Sequence, residues 1–417
     1  MSFPRNVAAL RGRVPLAVAS AVALMLVFLP GADGAPAQSR QAVQTVPKSV
    51  VRSADAALPT VTVVATGGTM AGQSDTPTSF QRYRAGTLLM EDMLAEVPNL
   101  DEVADVNSLQ FGNKGSGGYS IAELYDLSLA VDNALRTSDA VVVTTGTDTM
   151  EEIGYFLDLT VQSPKPVVIT GAMRPWTVIG SDAQANLFNA IVTAASGKTA
   201  WFGTVLMLND EIHAVRDVTK TSAYRMDTFQ TPELGVLGYV DDLKVRIMRM
   251  PARALRVFET RGSVVTTANA LRNWRTPFDL TTIDKADLPR VEIFYNAQEA
   301  GGEAIDAWAA AGVEGIVTAG TGAGGISGAA GQARNRAVQA GVMFASTTRT
   351  GSGSVYGGSG AVFPADSLNA PHARLLLMMA LAFNDGVEDT RADFVEWASL
   401  QADITSALPA LSTSGSR

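Results

Sequence analysis

The chain has 417 residues, of which 47% are hydrophobic and 18% charged, a composition that suits one large or two medium globular domains and excludes disordered, collagen-like and coiled-coil proteins. It has no cysteine and two histidines, which excludes disulfides, thiolate metal sites, a cysteine nucleophile and a multi-histidine metal centre. The net charge of −9 argues against nucleic acid as a partner, because binding to a phosphate backbone requires a positive surface. A small molecule is the expected ligand.

The N-terminal segment has the pattern of a secretory signal peptide. Three arginines within residues 5–13 precede an apolar run at residues 14–29, and residues 35–37 (Ala-Pro-Ala) match a signal-peptidase site. A membrane anchor is the alternative, but the run is shorter than the roughly 20 residues that span a bilayer. We expect residues 1–37 to be cleaved and residues 38–58 to form a flexible lead. The mature protein is then periplasmic or secreted, with no membrane attachment.

From residue 59 onward the sequence alternates between short apolar runs and helical periods. Runs with the length of buried strands, each ending near glycine, occur at residues 60–66, 140–145, 167–170 and 204–208. Apolar residues between 121 and 135 recur with helical spacing. This βαβ rhythm predicts an α/β fold, with a large N-terminal domain at residues 59–274 built on a parallel, doubly wound sheet. Ligands of such sheets bind beyond the carboxyl ends of the strands.

The second half of the chain repeats the α/β pattern on a smaller scale. The periodicity lapses at residues 275–289, which we interpret as a linker. Strands are then predicted at residues 291–295, 315–319 and 342–346, and helices at residues 304–311 and 372–383. We expect a smaller C-terminal α/β domain at residues 290–417.

The loop after the first predicted strand carries a threonine beside paired glycines. Gly67 and Gly68 allow the backbone to turn sharply and to bring N–H groups close to a ligand, and Thr69 adds a hydroxyl there. A turn with a capping threonine is the alternative. This loop alone does not decide between the two interpretations.

The loop after the second predicted strand carries Thr147 and Asp148, directly after Gly146. Asp148 and Glu151 have the spacing of a helix capping box, which explains this loop as a helix start without any function. Two hydroxyl-bearing loops at two strand ends nevertheless favour an active-site crevice over two unrelated turns.

Other candidate motifs fit less well. Residues 320–325 resemble a dinucleotide-binding fingerprint but lack an acidic residue about 20 positions later. Residues 196–199 resemble the end of a phosphate loop, but Val192 stands where that motif requires glycine. His213 has no nucleophile elbow before it, and His372 lies in an apolar helix pattern, so we interpret both as structural. The base is expected to be a lysine, a tyrosine or a carboxylate.

Several motifs together resemble the bacterial type II L-asparaginase family. They are TGGTMAG at 66–72, TTGTDTMEE at 144–152, KPVVITGAMRP at 165–175, RDVTKT at 216–221, TPFDL at 276–280 and LPRVEIFYN at 288–296. The resemblance covers essentially the whole mature chain. It implies hydrolysis of the side-chain amide of asparagine with release of ammonia, without metal or cofactor.

A glutaminase-asparaginase of broader specificity is one alternative. A periplasmic amino-acid-binding protein is another, but it would not need two hydroxyl loops and a lysine.

The resemblance also implies roles for residues of this chain. Thr69 resembles the nucleophile that forms an acyl-enzyme, and Tyr83 resembles a mobile-loop tyrosine that activates it. Thr147, Asp148 and Lys220 resemble a second catalytic group. A threonine hydroxyl is a poor nucleophile that needs a neighbouring base, and a lysine kept neutral by burial could serve through Thr147.

Substrate contacts are implied in the same way. Asp148 is expected to face the ammonium group of the substrate. Ser116 is expected to bind its carboxylate, although the equivalent serine is open within residues 116–120. Gly68 and Gly146 are expected to contact the substrate. Backbone N–H groups at the glycine turn are expected to hold the oxyanion.

The chain also departs from the family pattern. Thr145 stands where many relatives have histidine, Ala323 aligns with an asparagine, and an expected acidic residue is absent from residues 350–358. In the family the last two groups help to hold the substrate ammonium in the site of a neighbouring subunit. The resemblance implies a homotetramer of tight dimers with shared sites, and these substitutions leave open how the sites are completed.

Overall fold

The computed structural model describes residues 57–258 and 266–399. The predicted signal peptide and nearly all of the predicted lead lie outside these residues. In the described part of the chain, no helix combines the length and the apolar character needed to cross a membrane. The described residues belong to one compact unit that contains a large and a small sheet.

The first part of the chain alternates strands with helices. Its strands are β1 (Thr60–Gly67), β2 (Gln73–Ser74), β3 (Tyr83–Arg84), β4 (Asp105–Lys114), β5 (Ala140–Thr144), β6 (Val167–Thr170), β7 (Thr204–Leu208), β8 (Glu211–Ala214), β9 (Thr219–Lys220), β10 (Phe229–Gln230), β11 (Gly238–Asp241) and β12 (Lys244–Ile247). Its helices are α1 (Met90–Glu96), α2 (Ile121–Ala134), α3 (Met150–Thr160), α4 (Ala183–Ala195), α5 (Ala252–Leu255) and α6 (Thr267–Trp274).

The large sheet has eight strands in the order β12-β11-β8-β7-β6-β5-β1-β4. Strands β4, β1, β5, β6 and β7 are parallel, and β8, β11 and β12 extend the sheet in antiparallel pairing. From β1 the chain moves to one side, to β4, and then to the other side, to β5. This reversal is a topological switch point, so a crevice opens at the carboxyl ends of β1 and β5.

The apolar runs form buried strands because helices cover both faces of the sheet. In β5, Val141 and Val143 join a core with residues of α2 and α3, whereas Val142 joins a second core with residues of α4. Successive side chains of a strand point to opposite faces, so a strand covered on both faces is apolar at every position. The same pattern explains the runs in β1, β6 and β7.

The second part of the chain forms a smaller, parallel sheet. Its elements are β13 (Val291–Tyr295), α7 (Glu303–Ala310), β14 (Gly315–Gly320), α8 (Gly328–Gln339), β15 (Met343–Thr348), β16 (Val362–Pro364), α9 (Ala370–Phe383) and α10 (Val387–Ser399). The strand order is β13-β14-β15-β16, and every pairing is parallel. Helix α9 packs against this sheet on one side and against α3 on the other. The rings of Tyr155 on α3 and His372 on α9 lie 4.8 Å apart.

The predicted fold class is confirmed, with a large doubly wound sheet followed by a smaller α/β sheet. Residues 275–289, predicted as a linker, connect the two sheets and contain two 3-10 turns, Leu280–Thr282 and Lys285–Asp287. Phe278 and Leu280 of this segment are buried in the core that α3 and α9 share.

Candidate active site

The loops that follow β1 and β5 are in backbone contact at the switch point. Gly68 has a φ of 77°, and a Cβ at this position would lie 2.2 Å from the backbone nitrogen of Gly146. Only glycine allows both the left-handed conformation and this close approach. The contact brings the segment that carries Thr69 beside the segment that carries Thr147.

The backbone N–H of Gly68, which was predicted to contact the substrate, already has a partner within the protein. It donates to the carbonyl of Lys114 at 2.9 Å, because Gly67 and Lys114 are paired at the ends of β1 and β4. This donor is therefore occupied by the backbone. Gly68 serves the crevice through its close approach to Gly146.

Ser116 joins the same crevice from the end of β4. It lies in a 3-10 turn, Ser116–Gly118, and is 5% exposed. A Cβ at Gly146 would lie 2.9 Å from the backbone nitrogen of Ser116, so these two segments are also in close contact. The Ser116 hydroxyl accepts a hydrogen bond from the backbone N–H of Thr149 at 3.1 Å. Three neighbouring strand ends thus meet at one place.

Thr69 and Tyr83 form the first side-chain pair of the crevice. Their hydroxyl oxygens lie 2.7 Å apart, and Thr69 is 9% exposed. Tyr83 is on β3, which pairs with β2 in a small antiparallel sheet. The Thr69 hydroxyl does not cap a helix, since the residues after it form a turn closed by the N–H of Gly72 and the Thr69 carbonyl at 2.9 Å. The turn of the alternative interpretation is present, and the Thr69 hydroxyl is paired with Tyr83.

The segment that carries Tyr83 is held against residues 174–180. The backbone N–H of Ser74 donates to the Thr177 hydroxyl at 2.9 Å, and the Arg174 guanidinium lies 4.7 Å from the centre of the Phe80 ring. These contacts fix the β2–β3 segment over the crevice. The position of the Tyr83 hydroxyl therefore depends on residues outside its own strand.

Lys220 forms the second side-chain group with Thr147 and Asp148. Its Nζ donates to Thr147 Oγ1 at 2.9 Å and to Asp148 Oδ1 at 2.7 Å. The Lys220 side chain is 14% exposed, whereas that of Asp148 is 86% exposed. The half-buried Lys220 amine thus contacts the Thr147 hydroxyl within the crevice and the Asp148 carboxylate at its mouth.

The capping-box interpretation of Asp148 and Glu151 is wrong. Helix α3 begins after Thr149, whose side chain makes no capping hydrogen bond. The Asp148 carboxylate is directed to Lys220 instead. Charge pairing with an amine remote in sequence replaces the local cap that the spacing suggested.

Two further residues border the crevice and were not assigned from the sequence. The Tyr119 hydroxyl donates to the carbonyl of Thr66 at 2.6 Å, at the end of β1, and burial raises the pKa of this phenol. Glu151 lies under β9, beside Thr219 and Lys220. The sequence signal for Tyr119 is its position directly after the glycine and serine turn at residues 115–118. No local pattern indicates that β9 lies over Glu151, because this contact depends on the tertiary fold.

Neither histidine belongs to these two side-chain groups. His213 and His372 are buried, and His213 Nδ1 lies 2.9 Å from the Thr231 hydroxyl. Burial, assisted by Arg216, lowers the pKa of His372 to about 3. Within residues 57–258 and 266–399 no group of three or more histidine, aspartate or glutamate side chains is arranged to hold a metal ion.

Of the positions that depart from the family pattern, one is buried and the others lie on mostly exposed loops. Thr145 is fully buried behind the crevice. Ala323 is exposed in a turn closed by a bridge between Thr321 and Gly325. In the segment 350–358, the backbone N–H of Gly353 donates to Glu233 Oε1 at 2.6 Å.

Comparisons with known proteins give one consistent family. Residues 60–253 match the family "Asparaginase, N-terminal" and residues 290–394 match "Glutaminase/Asparaginase C-terminal domain". The chain is 35% identical over 393 residues to L-asparaginase 2 of Bacillus subtilis, covering 90% of this chain and 97% of that protein. It is 37% identical over 281 residues to a probable periplasmic L-asparaginase of Haemophilus influenzae, covering 67% and 74%. The crystal structure of a probable cytoplasmic L-asparaginase from Campylobacter jejuni is similar with a TM-score of 0.73 at 31% identity, covering 81% of this chain and 99% of that one.

Proposed function

The chain belongs to the L-asparaginase family of amidohydrolases, and we propose that it hydrolyses the side-chain amide of L-asparagine to L-aspartate and ammonia through a threonine nucleophile. The observation that carries this proposal is the 2.7 Å separation between the Thr69 and Tyr83 hydroxyls at the switch point of the sheet. A hydroxyl that is buried, at the carboxyl end of a central strand and bonded to a second acid–base group has the setting of an activated nucleophile.

In the first step, the Thr69 oxygen attacks the carbon of the side-chain amide. The Thr69–carbon bond forms, the carbon–nitrogen bond breaks, and the proton lost by Thr69 leaves with the ammonia. The Tyr83 hydroxyl is proposed to relay this proton, accepting it from Thr69 while its own hydrogen passes towards the leaving nitrogen. Backbone N–H groups of the Thr69 turn, other than the occupied ones of Gly68 and Gly72, are the proposed oxyanion donors, a contribution of roughly 3 to 4 kcal/mol per donor in other enzymes.

In the second step, water hydrolyses the ester on Thr69 and releases aspartate. Thr147 and Lys220 are the groups in place to move a proton for this water, since the Lys220 amine is bonded to the Thr147 hydroxyl at 2.9 Å. The two steps together consume one water and restore Thr69. No metal or cofactor is needed for either step.

Substrate binding is proposed to follow the charges at the crevice. The exposed Asp148 carboxylate is placed to meet the ammonium group of the substrate. The Ser116 hydroxyl accepts from Thr149 N–H, so its own hydrogen can be directed to the substrate carboxylate. Gly146, in contact with Ser116, keeps the floor of this pocket free of side chains.

The function is tested by measuring ammonia release from asparagine and glutamine with the purified mature protein. We expect release from asparagine without added metal or cofactor, and a lower kcat/KM for glutamine. Comparable rates on both amides would identify a glutaminase-asparaginase. This is the alternative function, since the matched C-terminal family is named for both activities. Tight binding of asparagine with no ammonia would instead identify an amino-acid-binding protein.

The chain is further proposed to be a secreted, two-domain protein. The signal pattern of residues 1–37, together with the name of the Haemophilus relative, supports cleavage and delivery to the periplasm. The proposed organisation is a flexible lead to residue 58, a catalytic domain at 59–274, a linker at 275–289 and a C-terminal domain at 290–417.

We also propose a homotetramer of tight dimers with each site at a subunit boundary. The exposed loops at residues 321–325 and 350–358 are poor in charge and rich in glycine, which suits close approach of another subunit. Light scattering of the mature protein should give about four times the mass of one chain, by the closed symmetry of such assemblies. A fully active monomer would contradict the shared site.

A further inference from the structure

Glu151 contacts the strand that carries Lys220, although it takes no part in the two side-chain groups described above. It lies in the first turn of α3, and its carboxylate lies beside the Thr219 hydroxyl and the backbone N–H of Lys220, two donors that favour its ionised form. Strand β9 consists of these two residues and pairs only with the equally short β10 among the described strands. The carboxylate therefore borders this short strand on the side of α3.

The same carboxylate is also bonded to the second half of the chain. Asn369, which caps α9 by accepting from the N–H of His372 at 2.9 Å, donates through Nδ2 to Glu151 Oε2 at 3.3 Å. His372 Nε2 lies 4.0 Å from the same oxygen. Glu151 thus joins three elements, α3, β9 and α9, directly behind Lys220.

The charged groups around Glu151 do little to stabilise its ionised form. His372 is neutral, because burial lowers its pKa to about 3. Lys220 directs its amine to Thr147 and Asp148. Glu152, beside it on α3, carries a second negative charge and lies 3.9 Å from Arg374. Burial, with a further contribution from Glu152, raises the pKa of Glu151 to about 7, although the hydrogen bonds from Thr219, Lys220 and Asn369 oppose the shift.

We propose that Glu151 is a positioning residue that fixes the backbone of β9 and so places the Lys220 amine on Thr147 and Asp148. The inference rests on the proposed amidohydrolase function. Loss of the negative charge weakens the acceptor that faces the Thr219 hydroxyl and the Lys220 N–H, because an ionised acceptor forms the stronger hydrogen bond, and β9 is then held less firmly towards α3. A lysine displaced from Thr147 cannot move a proton for the attacking water.

The proposal gives activity and stability opposite dependences on pH. As the pH falls through about 7, Glu151 takes up a proton, and the rate should fall with it. For a carboxyl whose pKa is higher in the folded than in the unfolded chain, the folded state binds more protons between the two values. Its contribution therefore makes the fold less stable as the pH rises through that window. The fully active form of the enzyme carries the charge that burial disfavours.

The experiment compares the pH–rate profiles of the full mature protein and of Glu151→Gln, which resembles the protonated side chain. At pH 8.5 we expect kcat for ammonia release to fall about tenfold with KM nearly unchanged, by the usual cost of a misplaced catalytic group. The step in rate near pH 7 should disappear. The melting temperature at pH 8 should equal or exceed that of the wild type, because a buried charge has been removed.

Two control variants should move the step near pH 7 in opposite directions. Glu152→Gln removes a like charge that raises the Glu151 pKa, so the step should shift to lower pH with kcat at pH 8.5 unchanged. Thr219→Val removes a hydrogen bond that lowers the same pKa, so the step should shift to higher pH. These two variants decide the question even if Glu151→Gln does not fold.

The possible outcomes separate this inference from the proposed function. A wild-type protein that releases no ammonia would overturn both. An active wild type whose profile is unchanged in Glu151→Gln, or unmoved by both control variants, would overturn the positioning role alone. Loss of activity at every pH together with a lowered melting temperature would also overturn it, because Glu151 would then be only a structural group.

Discussion

Replacement of Thr69 by valine is expected to abolish turnover and to leave the fold intact. Valine keeps the shape of threonine but lacks the hydroxyl that lies 2.7 Å from Tyr83 Oη. Without the nucleophile no acyl-enzyme forms, and we expect kcat to fall by about 10³-fold or more. The lost hydrogen bond should cost about 1 kcal/mol of unfolding free energy. Ammonia release and thermal unfolding of the purified variant measure the two effects separately.

Thr87→Val is the matched control for this replacement. The Thr87 hydroxyl donates to the carbonyl of Arg84 at 2.9 Å, close in sequence to Tyr83, and it is exposed. The same chemical change at this position should leave kcat within about twofold, as is usual for a surface substitution. Turnover near the wild-type rate in Thr69→Val would show that another group is the nucleophile.

Lys220→Met should produce the second largest loss of activity. Methionine fills much of the volume of the buried lysine stem but cannot donate to Thr147 or Asp148. Loss of a proton-transfer group typically costs about 10² to 10⁴ in rate, and we expect a fall in kcat within this range. KM should also rise, because Asp148 loses the partner that orients its carboxylate towards the substrate.

Lys198→Met is the control for this second prediction. Lys198 is exposed, but like Lys220 it donates through Nζ to a fixed acceptor, the carbonyl of Val245 at 2.6 Å on the edge strand β12. Its replacement should lower the melting temperature without changing kcat. An unchanged kcat in Lys220→Met would show that the contact with Thr147 has no catalytic role.

The central strands and the crevice could be predicted because the relevant signals are local. Strand β1 extends over Thr60–Gly67 where an apolar run at 60–66 predicted it, and β5 was predicted within one residue. Both strands are buried on two faces over most of their length, so apolar residues occupy most of their positions, with threonine at the others. Parallel strands end at the same edge of the sheet, and glycine marks each end. Thr69 and Thr147 were therefore expected at one crevice before any contact was known.

Other parts could not be predicted because their signals are not local. Strand β4 (Asp105–Lys114) lies at the sheet edge and is mostly exposed, so it has no apolar run. Tyr83 and Lys220 are on strands of two residues, and their partners are remote in sequence. They were identified only through the family resemblance. Glu151 was interpreted as a helix cap because its spacing from Asp148 is visible, whereas its cover by β9 and α9 depends on the tertiary fold.

The contact between α3 and α9 constrains how this protein can be divided or recombined. The face of α3 that includes Tyr155 is covered by α9, with His372 against the tyrosine ring. A fragment ending at residue 274 would expose this apolar face to water and should aggregate. A chimera that takes its C-terminal half from a relative would pair two surfaces that were never selected together. Substitutions on α3 and α9 are therefore expected to accumulate as compensating pairs, which makes the two halves one evolutionary unit.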